Sequence, residues 1–253
     1  MAIEVPTILT FLDDTFKAPW AAFLHQWDSI VISVFIGILI SLLFHFGLRK
    51  KEMQPTGLQN FLEWLTENLN ALLSEVLGKD GSKYIPLIGT LFIYILTMNL
   101  FGLVPLMKAP SANINVTIAL AIVVFCYIQY RNFKNLGIKG FFYHMAGSPT
   151  STAGWIMAPL MFPLELLTQI SRPVTLALRL FGNIMGEETL IAYFTLAGIF
   201  ALSFFHFEIP VGLPFQLPFM MFAILTSTMQ AMVFSLLTTV YILLSEPHHE
   251  TEH

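Results

Sequence analysis

Five charged residues, Glu165, Arg172, Arg179, Glu187 and Glu188, lie within one 24-residue stretch whose other side chains carry no charge. Near the centre of a bilayer each charge costs at least about 2.5 kcal/mol, so such residues face protein or water rather than lipid. Arginine keeps its charge in proteins, so Arg179 cannot relay a proton. It can hold an approaching carboxylate in its ionised form, because a neighbouring positive charge favours that form. A fixed positive charge thus sits between two acidic ends.

Helical spacing sharpens this pattern. At 100° per residue, Glu165, Thr168, Gln169, Arg172, Thr175, Arg179, Gly182, Asn183 and Gly186 form one polar or small stripe on a continuous helix. Glycine and threonine in such a stripe permit close approach by another helix. No acidic residue of the chain shares the stripe at the depth of Arg179, so the carboxylate it would meet is expected on another subunit. Glu165 lies about 21 Å from Arg179 along the helix, and Glu187 and Glu188 about 12–13 Å away in the other direction. Glu188 points about 180° away from Arg179, toward whatever backs the helix. Thr226, Ser227, Gln230 and Thr238 supply a second polar strip that can face the first. Arg172, beside Pro173, reads as a structural contact. Taken alone, Glu165, Glu187 and Glu188 fit a membrane interface as well as an ion path.

The rest of the chain has the composition of an integral membrane protein. Of 253 residues, 56% are hydrophobic and 11% charged, against roughly 25% charged in soluble domains. The mean hydropathy is +0.72, and a pI near 5.9 with net charge -4 argues against a nucleic-acid partner. A bilayer span needs about 20 mostly apolar residues, and 29–48 satisfies this, followed by Arg49, Lys50 and Lys51. Residues 57–77 place Leu58, Phe61, Leu62, Leu65, Leu69, Leu72, Leu73 and Val76 at helical spacing, which predicts an amphipathic helix on the membrane surface or against neighbours. Two spans, 84–107 and 114–130, are joined by "KAPSAN", which favours a hairpin. The polar, glycine-containing segment 131–154 reads as a loop. Residues 156–207 are apolar almost throughout and would be roughly 75 Å long as one helix, against a 30 Å core. They either break into two spans or tilt strongly, with Pro159, Pro163 and Pro173 able to start, kink or break them. A last long helix is predicted from about 215 to 244.

The expected fold is an all-α membrane protein of about five transmembrane helices and one amphipathic surface helix, the last two long, inclined and paired as a hairpin. It divides into 1–28, an outer N-terminal segment without signal-peptide character; 29–154, with the first helices; 155–246, the long hairpin; and 247–253, a polar tail. With the N-terminus outside, eight basic loop residues fall inside and Lys17 and Lys108 outside, which matches the enrichment of Lys and Arg on the cytoplasmic side.

Other chemistry finds no support. A single cysteine, Cys126, excludes an intramolecular disulfide and cysteine-based metal clusters. His206 reads as interfacial beside Glu208, and His248, His249 and His253 as a solvated tail rather than a metal site. Walker loops, nucleotide-binding glycine fingerprints and nucleophile elbows are absent from the sequence, so neither catalysis within the chain nor a cofactor is expected.

"RPVTLALRLFGNIMGEE" (172–188) closely resembles the signature of subunit a of the F-type ATP synthase, the stator side of its proton-conducting membrane sector. "MNLFGLVP" (98–105), "PSANINVT" (110–117), "PLMFPLELLTQISRP" (159–173) and "MQAMVFSLLTTVYI" (229–242) look like further family segments in the expected order. The resemblance implies two long inclined helices wrapped around a rotor ring, with Arg179 as the essential arginine facing the c subunits. It implies that Glu188 belongs to the outer half-channel and Glu165 to the inner exit. Asn183 and Gln230 match polar positions near the arginine, and Asn99 and Asp28 match positions on the outer access side. Two positions depart from relatives: Gly102 stands where some carry an acid, and Ala223 where some carry histidine. The neighbouring Glu187 can compensate, which leaves either glutamate as the proton carrier. Implied partners are the c-subunit ring, the peripheral-stalk b subunits and the rest of the synthase, in a bacterial inner membrane or an organellar energy-transducing one. A secondary transporter would instead show an inverted repeat, and none is convincing here; a structural anchor would make Arg179 dispensable.

Overall fold

The computed structural model describes residues 27–47, 57–77, 83–104, 107–147, 152–204 and 214–245. The outer N-terminal segment, the basic run after the first helix, Lys79, the turn bearing His206 and Glu208, and the histidine-containing tail lie outside the described residues. Among those described, six α-helices appear in the order α1 (Asp28–Gly47), α2 (Leu58–Leu77), α3 (Ile85–Phe101), α4 (Ile114–Met145), α5 (Thr152–Phe204) and α6 (Leu217–Ser245). A short 3-10 turn, Pro110–Ala112, lies between α3 and α4. Four of the helices, α1, α4, α5 and α6, are long and apolar enough to cross a membrane, and α3 is a shorter apolar helix of 17 residues. With the amphipathic α2, this is the expected all-α membrane architecture.

The core sits around α3, whose inward residues follow a helical rhythm. Tyr84, Ile88, Leu91, Ile95 and Met98 pack against Ile32 and Ile36 of α1, Val124 and Ile128 of α4, Leu176, Leu180 and Ile184 of α5, and Phe234 and Ile242 of α6. The Tyr94 hydroxyl ties α3 to α1 by donating to the Ser33 carbonyl at 3.0 Å. On α2, Leu62 and Leu69 are buried while Phe61 and Trp64 are exposed and stacked with ring centroids 6.2 Å apart. That division matches an amphipathic helix lying along the bundle.

Residues 131–147 are not the expected loop. α4 continues to Met145, interrupted at Gly137, whose φ of 67° and ψ of 172° belong to a region that only glycine enters readily. Helix persists beyond the break because aromatic side chains anchor it: Phe133 lies 4.3 Å from Phe141, and Phe142 stacks on Phe162 of α5 at 6.4 Å. α5 resolves the earlier alternative in favour of a single helix. It runs for 53 residues through Pro159, Pro163 and Pro173, a length of about 80 Å at 1.5 Å per residue, too long to stand upright in a 30 Å core.

α5 and α6 pair antiparallel without slippage. Arg172 lies over the Tyr241 ring at 5.2 Å, Asn183 bonds Gln230, Glu187 bonds Thr226, and Phe194 stacks on Phe219 at 3.9 Å. Moving 22 residues along α5 from Arg172 to Phe194 thus moves 22 back along α6 from Tyr241 to Phe219. This register sets the depth order of every polar group the two helices share.

Candidate functional site

The polar residues of α5 divide between two faces. Leu176, Leu180 and Ile184 are buried against the core, and the acids near the C-terminal half of the helix share that side. Thr168, Thr175, Arg179, Gly182 and Gly186 are exposed. Arg179 makes no hydrogen bond or ion pair among the described residues. Beside it, a Cβ placed on Gly182 or Gly186 would meet nothing within 4 Å. The Thr168 and Thr175 hydroxyls fold back onto the carbonyls of Leu164 and Ser171, each at 2.9 Å. The stripe is therefore smooth, small in volume and marked by one uncompensated positive charge.

The two adjacent glutamates go to different neighbours. Glu187 accepts a hydrogen bond from the Thr226 hydroxyl and another from the Ser227 hydroxyl at 3.3 Å, both on α6. Glu188, one residue and 100° further round, accepts the Ala109 backbone N–H at 2.7 Å from the strap between α3 and α4. That donor is free because Ala109 precedes the 3-10 turn in extended conformation. Gly102 makes the approach possible: a Cβ there would lie 2.7 Å from Ala109 Cβ and 3.2 Å from Glu188 Oε1. At Gly102 the space a side chain would need is taken by the strap and the Glu188 carboxylate.

Asn99 closes the cluster from behind. It is buried, its Oδ1 accepts the Ser111 hydroxyl at 2.7 Å, and its Nδ2 donates to the Ser227 carbonyl at 3.4 Å. A polar chain thus runs from Glu188 through the strap, Ser111, Asn99 and Ser227 to Glu187. Ala223, buried one turn before Ser227, adds no polar group. Asp28 lies at the head of α1, where its carboxylate accepts the Ser29 hydroxyl at 3.0 Å. It lines a recess of about 240 Å³ with Trp27, Ser29, Asn113 and Asn115.

Between the acidic ends, Asn183 Nδ2 donates to Gln230 Oε1 at 2.7 Å, while Gln230 Nε2 is buried without a partner among the described residues. Toward the other end of α5, Glu165 accepts Gln169 Nε2 at 3.3 Å, and Arg172 rests on Tyr241, the structural contact expected of it. Sequence reasoning missed Ser111, the Ala109 N–H, Tyr241 and Gln129. Only Ser111 and Tyr241 carried a signal, as members of quoted family segments.

Fold and site together define a multi-pass helical membrane protein that bonds paired, half-buried acids on one side of a long helix and presents an exposed arginine on another. A family model described as ATP synthase A chain matches residues 30–243. The chain is 54% identical over 250 residues to ATP synthase subunit a of Protochlamydia amoebophila, covering 98% of this chain and 91% of that one. It is 35% identical to ATP synthase subunit a of Moorella thermoacetica, with 85% and 89% covered, and 37% identical to that of Trichlorobacter lovleyi, with 87% and 85% covered. The chain belongs to the ATP synthase subunit a family.

The Gly102 contact yields a stability prediction. Gly102→Ala overpacks the strap and should destabilise the chain by about 1–3 kcal/mol, read as a lowered unfolding midpoint in detergent. Gly182→Ala, entering open space, should leave that midpoint unchanged.

Proposed function

We propose that this chain is the proton-translocating stator subunit of a rotary ATP synthase, with two offset half-channels separated by Arg179. The observation that carries the reading is the opposition of faces on α5: an uncompensated arginine on a smooth exposed stripe, and bonded carboxylates behind and beyond it. Protons enter from the outer side by way of Asp28, Asn99 and the Glu187–Glu188 pair, and reach a carboxylate on the adjoining c-subunit ring. After the ring has turned, they leave past Glu165.

Arg179 holds the facing ring carboxylate ionised and blocks direct passage between the paths. A protonated carboxyl can rotate into lipid, whereas an ionised one would carry the cost of a buried charge. That asymmetry couples ion flow to rotation. The membrane field supplies about 2.3 kcal/mol per charge per 100 mV, and rotation passes it to the soluble ATP-forming sector. Asn183 and Gln230 keep the neighbourhood of the arginine polar. Membership in the family supports assembly with the c ring, the peripheral-stalk b subunits and the rest of the synthase. Loop basic residues support an N-terminus outside and a cytoplasmic C-terminus in a bacterial inner membrane.

Arg179→Ala should abolish proton-driven ATP synthesis in membrane vesicles while the complex still assembles; coupled synthesis at the normal rate would contradict the reading. Glu187 and Glu188 have different donors, so their glutamine variants should impair proton conduction unequally. Wild-type conduction in both would remove the pair from the path.

A further inference from the structure

Gln129 stands in the apolar "FCYIQY" stretch of α4, and the reading above gives it no role. Its amide nitrogen donates to Gln169 Oε1 at 2.9 Å, and Gln169 Nε2 donates in turn to Glu165 Oε1. The direction of this chain follows from its acidic end. An ionised carboxylate only accepts, whereas a side-chain amide has one donating and one accepting end. Glu165 therefore draws the NH₂ of Gln169 toward itself and turns the Gln169 carbonyl toward α4, where a donor is required. Gln129 supplies that donor.

Gln129 Oε1 is buried and accepts no hydrogen bond among the described residues, so the amide is held by its N–H end alone. Turning over would set carbonyl against carbonyl at Gln169, which is itself buried and cannot turn to solvent. Glu165 bonds no other side chain among the described residues, where Gln169 is its one side-chain donor.

We propose that Gln129 is a positioning residue for ion transfer: acting through Gln169, it keeps an N–H aimed at Glu165 and holds that carboxylate in its working orientation. The inference rests on Glu165 serving the inner path. It extends the working machinery from α5 and α6 to α4.

The test is passive proton conduction through vesicles of the assembled membrane sector, stripped of the soluble sector and normalised to the amount of this chain present. Gln129→His keeps an N–H donor at similar reach and should conduct within about twofold of wild type. Gln129→Met keeps the size without the donor and should conduct about five- to tenfold less, the scale of one lost hydrogen bond. Gln129→Glu presents an acceptor at neutral pH and should conduct least. In a Glu165→Gln background the three should become equal. An order that follows size, with Met nearest wild type, would overturn the inference, and so would wild-type conduction in all three while Glu165→Gln is impaired. Unimpaired conduction in Glu165→Gln would instead overturn the inner-path reading itself. Should Gln129→Glu not accumulate, the His and Met pair still decides.

Discussion

Hydrocarbon offers no hydrogen bonds and solvates charge poorly, so a polar group on a membrane helix must be bonded within the protein or turned toward a partner. α5 meets this demand on one side and leaves it open on the other. Every acid it carries between Glu165 and Glu188 has a donor: Gln169 for Glu165, Thr226 and Ser227 for Glu187, and the Ala109 N–H for Glu188. The hydroxyls of Thr168 and Thr175 are absorbed by their own helix. Arg179 alone among these groups remains uncompensated within the described residues. A guanidinium cannot discard its charge, so among the described residues the fold leaves this one demand unanswered.

The 100° step of the helix then does more than place residues on faces. It separates two adjacent carboxylates onto different supports, one on α6 and one on the strap. The supports are linked through Ser111 and Asn99. The unslipped pairing of α5 with α6 holds Asn183 and Gln230 between this cluster and the Arg172–Tyr241 contact. The order of these polar groups along the two helices is therefore a property of helix register, not of any single bond.

Much of this was legible in the sequence because apolar length and helical period are strong signals. α1, α2 and α6 lie within a few residues of their predicted limits. Part of the stripe bearing Arg179 could be drawn from spacing alone: Thr168, Thr175, Gly182 and Gly186 are exposed with it, whereas Gln169 of the same predicted stripe is buried. The helical continuation beyond Gly137 was not legible. "NFKNLGIKG" is polar and broken by glycine, and of the two aromatic contacts that anchor it, the stacking of Phe142 on Phe162 is made with another helix. Nor could the donor to Glu188 be read, since a backbone N–H has no residue signature and depends on the strap's path past Gly102. Gln129 looked like an isolated amide; only the packing of α4 on α5 gives its polarity a direction.

The most direct test of the central claim is disulfide cross-linking in the assembled complex, with Cys126 replaced by serine. Single cysteines at Thr175 or Gly182, on the arginine stripe, and at Ile170, exposed on the far side of α5, would be paired with cysteines along the ring-subunit helices. The account predicts cross-links to the ring from Thr175 and Gly182 and none from Ile170. Equal cross-linking from Ile170, or none from the stripe in an assembled and active complex, would contradict it.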